Sequence, residues 1–181
     1  MSVETIKSAS IINLDASPQV ANTQGEGAQG DLWVQTEFVT ISAAASAGSK
    51  YPLIRVDTRI KLKALYLESE AMGAGAVNVS LYYSDSTVDG TPVAVQGLIV
   101  TATPGGDQFF ASDVDLSAAL VNTQVINESG NYPLSKRNQP LWQAVGLTSD
   151  PGGFFDITLV VHTTDITTGA ARAGLRAEYT G

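Results

Sequence analysis

The chain has 181 residues, no cysteine, and 18 acidic residues against 10 basic ones, for a formal net charge of -8. A chain of this length suits one domain that buries about 70% of its unfolded surface, enough for a core without covalent staples. The missing thiols exclude a disulfide framework and thiolate metal sites, and the acidic balance argues against a nucleic-acid groove, which needs clustered Lys and Arg.

In chain order, residues 1–30 hold few core-sized side chains beyond Val3, Ile6, Ile11, Ile12, Leu14 and Val20, and they end in the loose run NTQGEGAQG. Such a segment cannot fold alone, so it reads as an extended N-terminal arm in which SASIINLDASP is able to add as a strand to something else. Residues 31–181 read as the body. Residues 32–41 (LWVQTEFVTI) form its first strand, AAASAGSKYP is a loop of small residues, and residues 53–56 lead into the clearest periodicity of the chain. That periodicity lies in residues 59–84, two strands joined by a turn at Gly73 and Gly75, where positive φ is available. In the first strand Ile60, Leu62, Ala64 and Tyr66 fall on one face, opposite Lys61, Lys63, Leu65 and Leu67. In the second, Val77, Val79, Leu81 and Tyr83 oppose Asn78, Ser80, Tyr82 and Ser84, the alternation of a half-buried sheet rather than a helix.

Further on, DSTVDGTP is a turn by composition, residues 93–102 return as a strand interrupted by Gly97, and TPGGD turns again. In FFASDVDLSAAL, Ser112 caps a short predicted helix through Leu120 with Asp113 and Asp115 near its positive end. It is the one helix the sequence predicts. Residues 121–126 form a weak strand, residues 141–147 (LWQAVGL) a short apolar strand or turn, and SDPGG a tight turn. Phe155, Ile157, Leu159 and Val161 alternate with Asp156, Thr158, Val160 and His162, and Leu175, Ala177 and Tyr179 alternate with Arg176 and Glu178. Short strands between Gly, Pro and Asp turns imply an all-β sandwich or related barrel, and no period of 20 to 50 residues marks a repeat architecture.

Motifs for chemistry are weak. Gly25, Gly27 and Gly30 spell GxGxxG, but a strand follows where a dinucleotide site needs a helix, so the run reads as a hinge after the arm. Asp85, Thr87, Asp89 and Gly90 start like a calcium loop, yet Gln96 stands where the closing carboxylate belongs. His162 is the sole histidine and no GxSxG accompanies it, so it reads as a solvent-facing strand end and no catalytic residue is assigned. The close carboxylates Glu68 with Glu70 and Asp113 with Asp115 read as solvated charge. No cofactor or metal is expected. No N-terminal run resembles a secretion signal and no stretch approaches ~18 apolar residues, so no membrane partner is expected either.

Charge is segregated along the chain: Lys50, Arg55, Arg59, Lys61 and Lys63 are half of all basic residues, whereas residues 64–135 hold eight acids and no base. The solvated-face reading leads and an electrostatic docking face stands second. Trp33, Tyr66, Tyr82, Tyr83, Phe109, Phe110, Trp142, Phe154 and Phe155 read as core or interface, with a sugar-stacking platform as the alternative.

The arm SASIINLDASP, the run DTRIKLKALYLESEAMGAGAVNVSLYYS, the block DQFFASDVDLSAA and the ending PLWQAVGLTSDPGGFFDITLVVHTTDITTGAARAGLRAEY together resemble the capsid decoration, or cement, proteins of tailed bacteriophages. That resemblance spans most of the chain. It implies a jelly-roll-like β-sandwich without catalytic residues that binds the outer surface of an assembled shell. Its implied partners are the major capsid protein and further copies of itself, a trimer before a dimer, on the virion exterior after synthesis in the bacterial cytoplasm. Within that reading Ile11, Ile12 and Leu14, an apolar cluster in a segment with no core of its own, are the candidate capsid or subunit contact. A carbohydrate-binding or receptor-binding sandwich of a phage is the alternative.

Overall fold

The computed structural model describes residues 5–17, 32–43, 45–88, 91–95, 108–162, 166 and 170–181. Two sheets face each other. One has the order β1-β9-β3-β7, from β1 (Trp33–Ile41), β3 (Lys61–Ser69), β7 (Leu120–Gln124) and β9 (Ala171–Thr180). The other has the order β2-β8-β4-β5, from β2 (Lys50–Asp57), β4 (Ala76–Val88), β5 (Thr91–Ala94) and β8 (Phe154–Val161), with β6 (Ala111–Asp115) pairing β4. All the strand pairs are antiparallel. This is the all-β sandwich expected from the alternating runs.

The core lies between the sheets. Val39 and Ile41, Leu62, Leu65 and Leu67, and Leu175 and Ala177 come from one sheet; Tyr51, Ile54, Val77, Val79, Leu81, Phe155, Ile157 and Leu159 come from the other. Phe109, Phe110 and Tyr132 close it with edge-on ring contacts at 4.9–5.8 Å between centroids. The Tyr132 hydroxyl donates to the Leu62 carbonyl at 3.3 Å, and burial pushes its pKa up.

Five local expectations are corrected. First, β3 and β4 are not a hairpin: they belong to opposite sheets, so residues 70–75, with Gly73 and Gly75 at φ 72° and 137°, arch across the end of the sandwich. Second, the buried face of β3 changes phase. Opposite β9 the register passes from Leu62↔Tyr179 to Ala64↔Glu178, so Lys63 is an extra residue, and Leu65 and Leu67 point to the core in place of Ala64 and Tyr66. Third, residues 111–115 form strand β6 rather than the start of a helix. Val114 and Ala111 pair with Val77 and Val79, and Asp113 adopts φ 58° while its N–H donates to Asn78 Oδ1 at 2.7 Å.

Fourth, LWQAVGL contains a single helical turn, α2 (Leu141–Ala144), started by Pro140 and tied to the body by Leu141 N–H to Ile60 O at 2.8 Å. Fifth, DSTVDGTP is mostly strand: β4 runs through Val88 and pairs with β5 at Val88↔Thr91, leaving only residues 89–90 between them. The GxGxxG run and most of the expected strand at 93–102 lie outside the described residues, as do Asp89, Gly90 and Gln96 of the calcium-like pattern and the side chains of Asp85 and Thr87.

Candidate functional site

With no catalytic motif to follow, the surfaces decide. Residues 5–17 of the arm are described, and they lie against the body. Thr5 bridges Lys50 in parallel, and the N–H groups of Ile6 and Ser8 donate to Lys50 O and Pro52 O at 3.1 and 2.9 Å, so residues 5–8 lie along the edge of β2. The chain then turns into α1 (Ala9–Asp15). Ser8 is its N-cap, accepting from Ile11 N–H at 3.4 Å and donating its hydroxyl to Leu53 O at 2.6 Å. Residues 5–8 thus run along this chain's own β2, whereas residues 9–15 of SASIINLDASP form a helix in place of the expected strand.

The three arm residues part company there. Ile11 is fully buried within its own chain, where it anchors α1. Ile12 is 56% exposed, and the Leu14 side chain lies outside the described residues. At the end of α1, Asp15 accepts from Lys7 Nζ at 2.5 Å and from the Arg55 guanidinium, which also forks onto Asp156 at 2.7 and 3.0 Å. Arg55 and Asp156 are 8% and 5% exposed. Burial works to raise the Asp15 pKa, but the hydrogen bonds from Lys7 and Arg55 outweigh it and hold the carboxyl below its ordinary value. Burial dominates at Asp156 and pushes it up, against the pull of Arg55.

The outward face of the β1-β9-β3-β7 sheet is open. Val34 and Phe38 of β1 are exposed, Arg172 lies 5.1 Å from the Phe38 ring centroid, and Arg176 lies 4.3 Å from that of Tyr66. Gly174 sits directly under Phe38: a Cβ there would lie 2.2 Å from the ring and 2.8 Å from Glu37 O. Phe38, Glu68, Glu70, Leu120 and Arg172 line a shallow hollow of about 260 Å³ on this face.

A second hollow opens at the end of the sandwich where β1 and β8 start and β9 finishes. Trp33, Tyr179 and the 51% exposed Phe154 meet there above Val56 and Ile60, around a cleft of about 230 Å³. A neighbouring hollow of about 390 Å³ shares Asp57, Ile60 and Gly181 and adds Arg59. Gly152 and Gly153, at φ 71° and 75°, place Phe154, and Asp150 holds their loop by accepting from Thr58 Oγ1 at 2.7 Å and Gly152 N–H at 2.9 Å.

Residues weighed for chemistry are used locally. His162 is largely covered and pairs through Nδ1 with Asp113 Oδ1 at 2.9 Å, which corrects its reading as a solvent-facing strand end. Glu70 accepts the Arg172 N–H at 2.8 Å. Backbone and hydroxyl hydrogen bonds from Ser117 lower the Asp115 pKa. Among the described residues no group of three or more His, Asp or Glu converges as a metal site. Of the aromatics, Tyr82, Phe109, Phe110 and Phe155 are buried and Trp142 packs on the core, whereas Trp33, Tyr66 and Phe154 face out at least in part. The sequence reading missed Phe38 because a lone Phe in LWVQTEFVTI carries no sign of which face it takes.

No protein-family model matches the chain, and no curated protein does. Among solved structures, the fold is similar to a chain in the capsid of Ralstonia phage GP4, at 13% identity and a TM-score of 0.56, covering 97% of each chain. A chain in the Cyanophage Pam1 capsid asymmetric unit aligns at 9% identity and a TM-score of 0.41, over 92% of this chain and 96% of that one.

Proposed function

We propose that this protein is a non-enzymatic structural protein of a bacteriophage virion. It binds the outer surface of the capsid, contacts the major capsid protein and stabilises the contacts between capsid subunits. One observation carries the reading: the similarity to a chain of the Ralstonia phage GP4 capsid runs end to end, 97% of both chains, so it concerns the whole sandwich rather than a shared fragment. The surfaces support it. The hollows are open and have partly apolar linings, exposed apolar side chains stand at Val34, Phe38, Val121 and Phe154, and the titratable groups weighed for chemistry hold loops and strands together.

Within this proposal the sandwich is jelly-roll-like and acts as a homo-oligomer, a trimer before a dimer, on the capsid exterior. The arm contributes Ile12, the one apolar side chain of the original three that is described and exposed. The test is co-sedimentation of purified protein with capsids assembled without it, followed by cryo-electron microscopy of the pellet. Saturable binding and sandwich-shaped density outside the shell are expected. Protein that stays in the supernatant at every concentration overturns the reading.

A further inference from the structure

We infer that the cleft between the sheets at Trp33, Phe154 and Tyr179 is the socket by which the protein stands on the shell. It receives an apolar side chain from an acidic segment of the capsid subunit. This inference rests on the proposed function and adds to it the docking end and the chemistry of the partner.

Three observations meet at this end. Strand β8 is buried along its length except at its first residue, so Phe154 is an exposed aromatic that the packing of this chain does not use. Trp33, Phe154 and Tyr179, from strands of both sheets, and Val56 and Ile60 supply the cleft's apolar lining, which Arg55, Asp57 and Gly181 complete, an arrangement suited to one aliphatic or aromatic side chain with polar groups beside it. Two lysines stand beside the cleft. Arg59 is exposed, Lys61 stands opposite Thr180 on the β9 end, and Lys63 follows, donating to Arg137 O and Asn138 Oδ1 at 3.1 and 2.7 Å. Asp57 and Arg59 neutralise each other, and Asp150 keeps its charge while accepting from Thr58 and Gly152, so the cations of this end without a carboxylate partner among the described residues are Lys61 and Lys63. Lys61 has no hydrogen-bond or ion-pair partner among the described residues and is free to meet an anion.

Charge then selects both partner and orientation. A protein of net charge -8 is repelled by an acidic surface at most approaches, and the far end of the sandwich carries Glu68, Glu70 and Asp115. The end with Lys61 and Lys63 is where such a surface is accepted. An apolar lining with charge beside it is also how a docking hot spot excludes water.

The experiment is co-sedimentation with capsids assembled without this protein, comparing wild type with Phe154→Ser, Lys61→Glu and the distal control Glu70→Lys. Thermal unfolding establishes that each variant is folded, and Lys61 lies on the surface, so its reversal tests the socket even where Phe154→Ser fails to fold. The expected result is binding weakened roughly 30-fold by Phe154→Ser, the scale of a lost hot-spot contact, with a smaller, salt-sensitive loss for Lys61→Glu and none for Glu70→Lys. Trp33 fluorescence should shift when capsids are added. Wild-type protein that fails to sediment overturns the proposed function itself. Wild type and both socket variants sedimenting equally overturns the socket alone. Socket variants that bind capsids but lose self-association overturn it too, by assigning the cleft to a second copy.

Discussion

The outward faces of the two sheets are built from the same alternating pattern and meet opposite fates. On the β2-β8-β4 sheet the outward side is buried: Asn78, Ser80, Tyr82, Asp156, Thr158 and Val160 are all covered, and α1 docks at its β2 edge through Ile11 and Asp15. On the β1-β9-β3-β7 sheet the outward side is open, with Val34 and Phe38 in solvent and two arginines lying over Phe38 and Tyr66. Polar and apolar alternation therefore specifies a two-faced strand but not what lies on the second face. A covered polar face must find internal hydrogen bonds or leave groups such as the Ser80 hydroxyl unpartnered among the described residues, whereas an open one leaves them to water. That difference predicts where substitutions hurt.

The largest effect is expected at Arg55, which neutralises the buried Asp156 and also holds Asp15 of the arm. Arg55→Ala leaves a buried carboxylate without its cation and should cost about 3 to 5 kcal/mol in urea unfolding. A loss below about 1 kcal/mol, the scale of a surface pair, would place this network in solvent. Next is the arm core. Ile11→Ala should cost about 2 to 5 kcal/mol, while Ile12→Ala, one residue on, should stay within about 0.5 kcal/mol. Equal effects at the two positions would mean that α1 does not dock.

Removing residues 1–30 should leave a body that still unfolds cooperatively, but at lower stability than the whole chain, because it uncovers the β2 edge and the seat of Ile11. Loss of any cooperative transition would make the arm part of the core.

On the open face the expected effects are smaller and come from crowding. Gly174→Ala drives a methyl into Phe38 and toward Glu37 O, at a cost of about 1 to 3 kcal/mol. Adding Phe38→Ala should recover part of that loss, because the ring can be removed while the carbonyl stays. Additive losses in the double variant would contradict the contact.

The smallest effect is acid dependence at the arm. The Asp15 carboxyl is held below its ordinary value in the folded chain, so its contribution is complete above that ordinary value and disappears as pH falls through the lowered one. Asp156, pushed up by burial, acts with the opposite sign. Asp15→Asn should flatten the part of the acid loss below about pH 4, measured as unfolding free energy against pH. An unchanged curve would remove Asp15 from the latch.

Much of the sandwich was legible because β4, β8 and β9 contain alternating runs, at residues 77–81, 155–159 and 175–179, which fit a strand and not a helix. What was not legible depends on partners distant in sequence. The bulge at Lys63 exists only against β9, more than a hundred residues away, so the phase of Leu65 and Leu67 could not be read from β3 alone. Residues 70–75 look the same whether they close a hairpin or arch between sheets. Ser112 and its acids imitate a helix start until pairing with Val77 and Val79 decides otherwise. Ile11, Ile12 and Leu14 were recognisable as an apolar cluster, but only the packing of α1 on β2 separates the buried Ile11 from the exposed Ile12. The end cleft was half visible: Trp33 and Phe154 stood out as aromatics, and their convergence with Tyr179 required the fold.

A cryo-electron microscopy map of the intact virion, at a resolution that places strands, tests the central claim most directly. The predicted result is density for this sandwich on the outside of the capsid, with the Trp33, Phe154 and Tyr179 end against the shell and the Glu68 and Glu70 end in solvent. A virion whose capsid exterior carries no such density would contradict it.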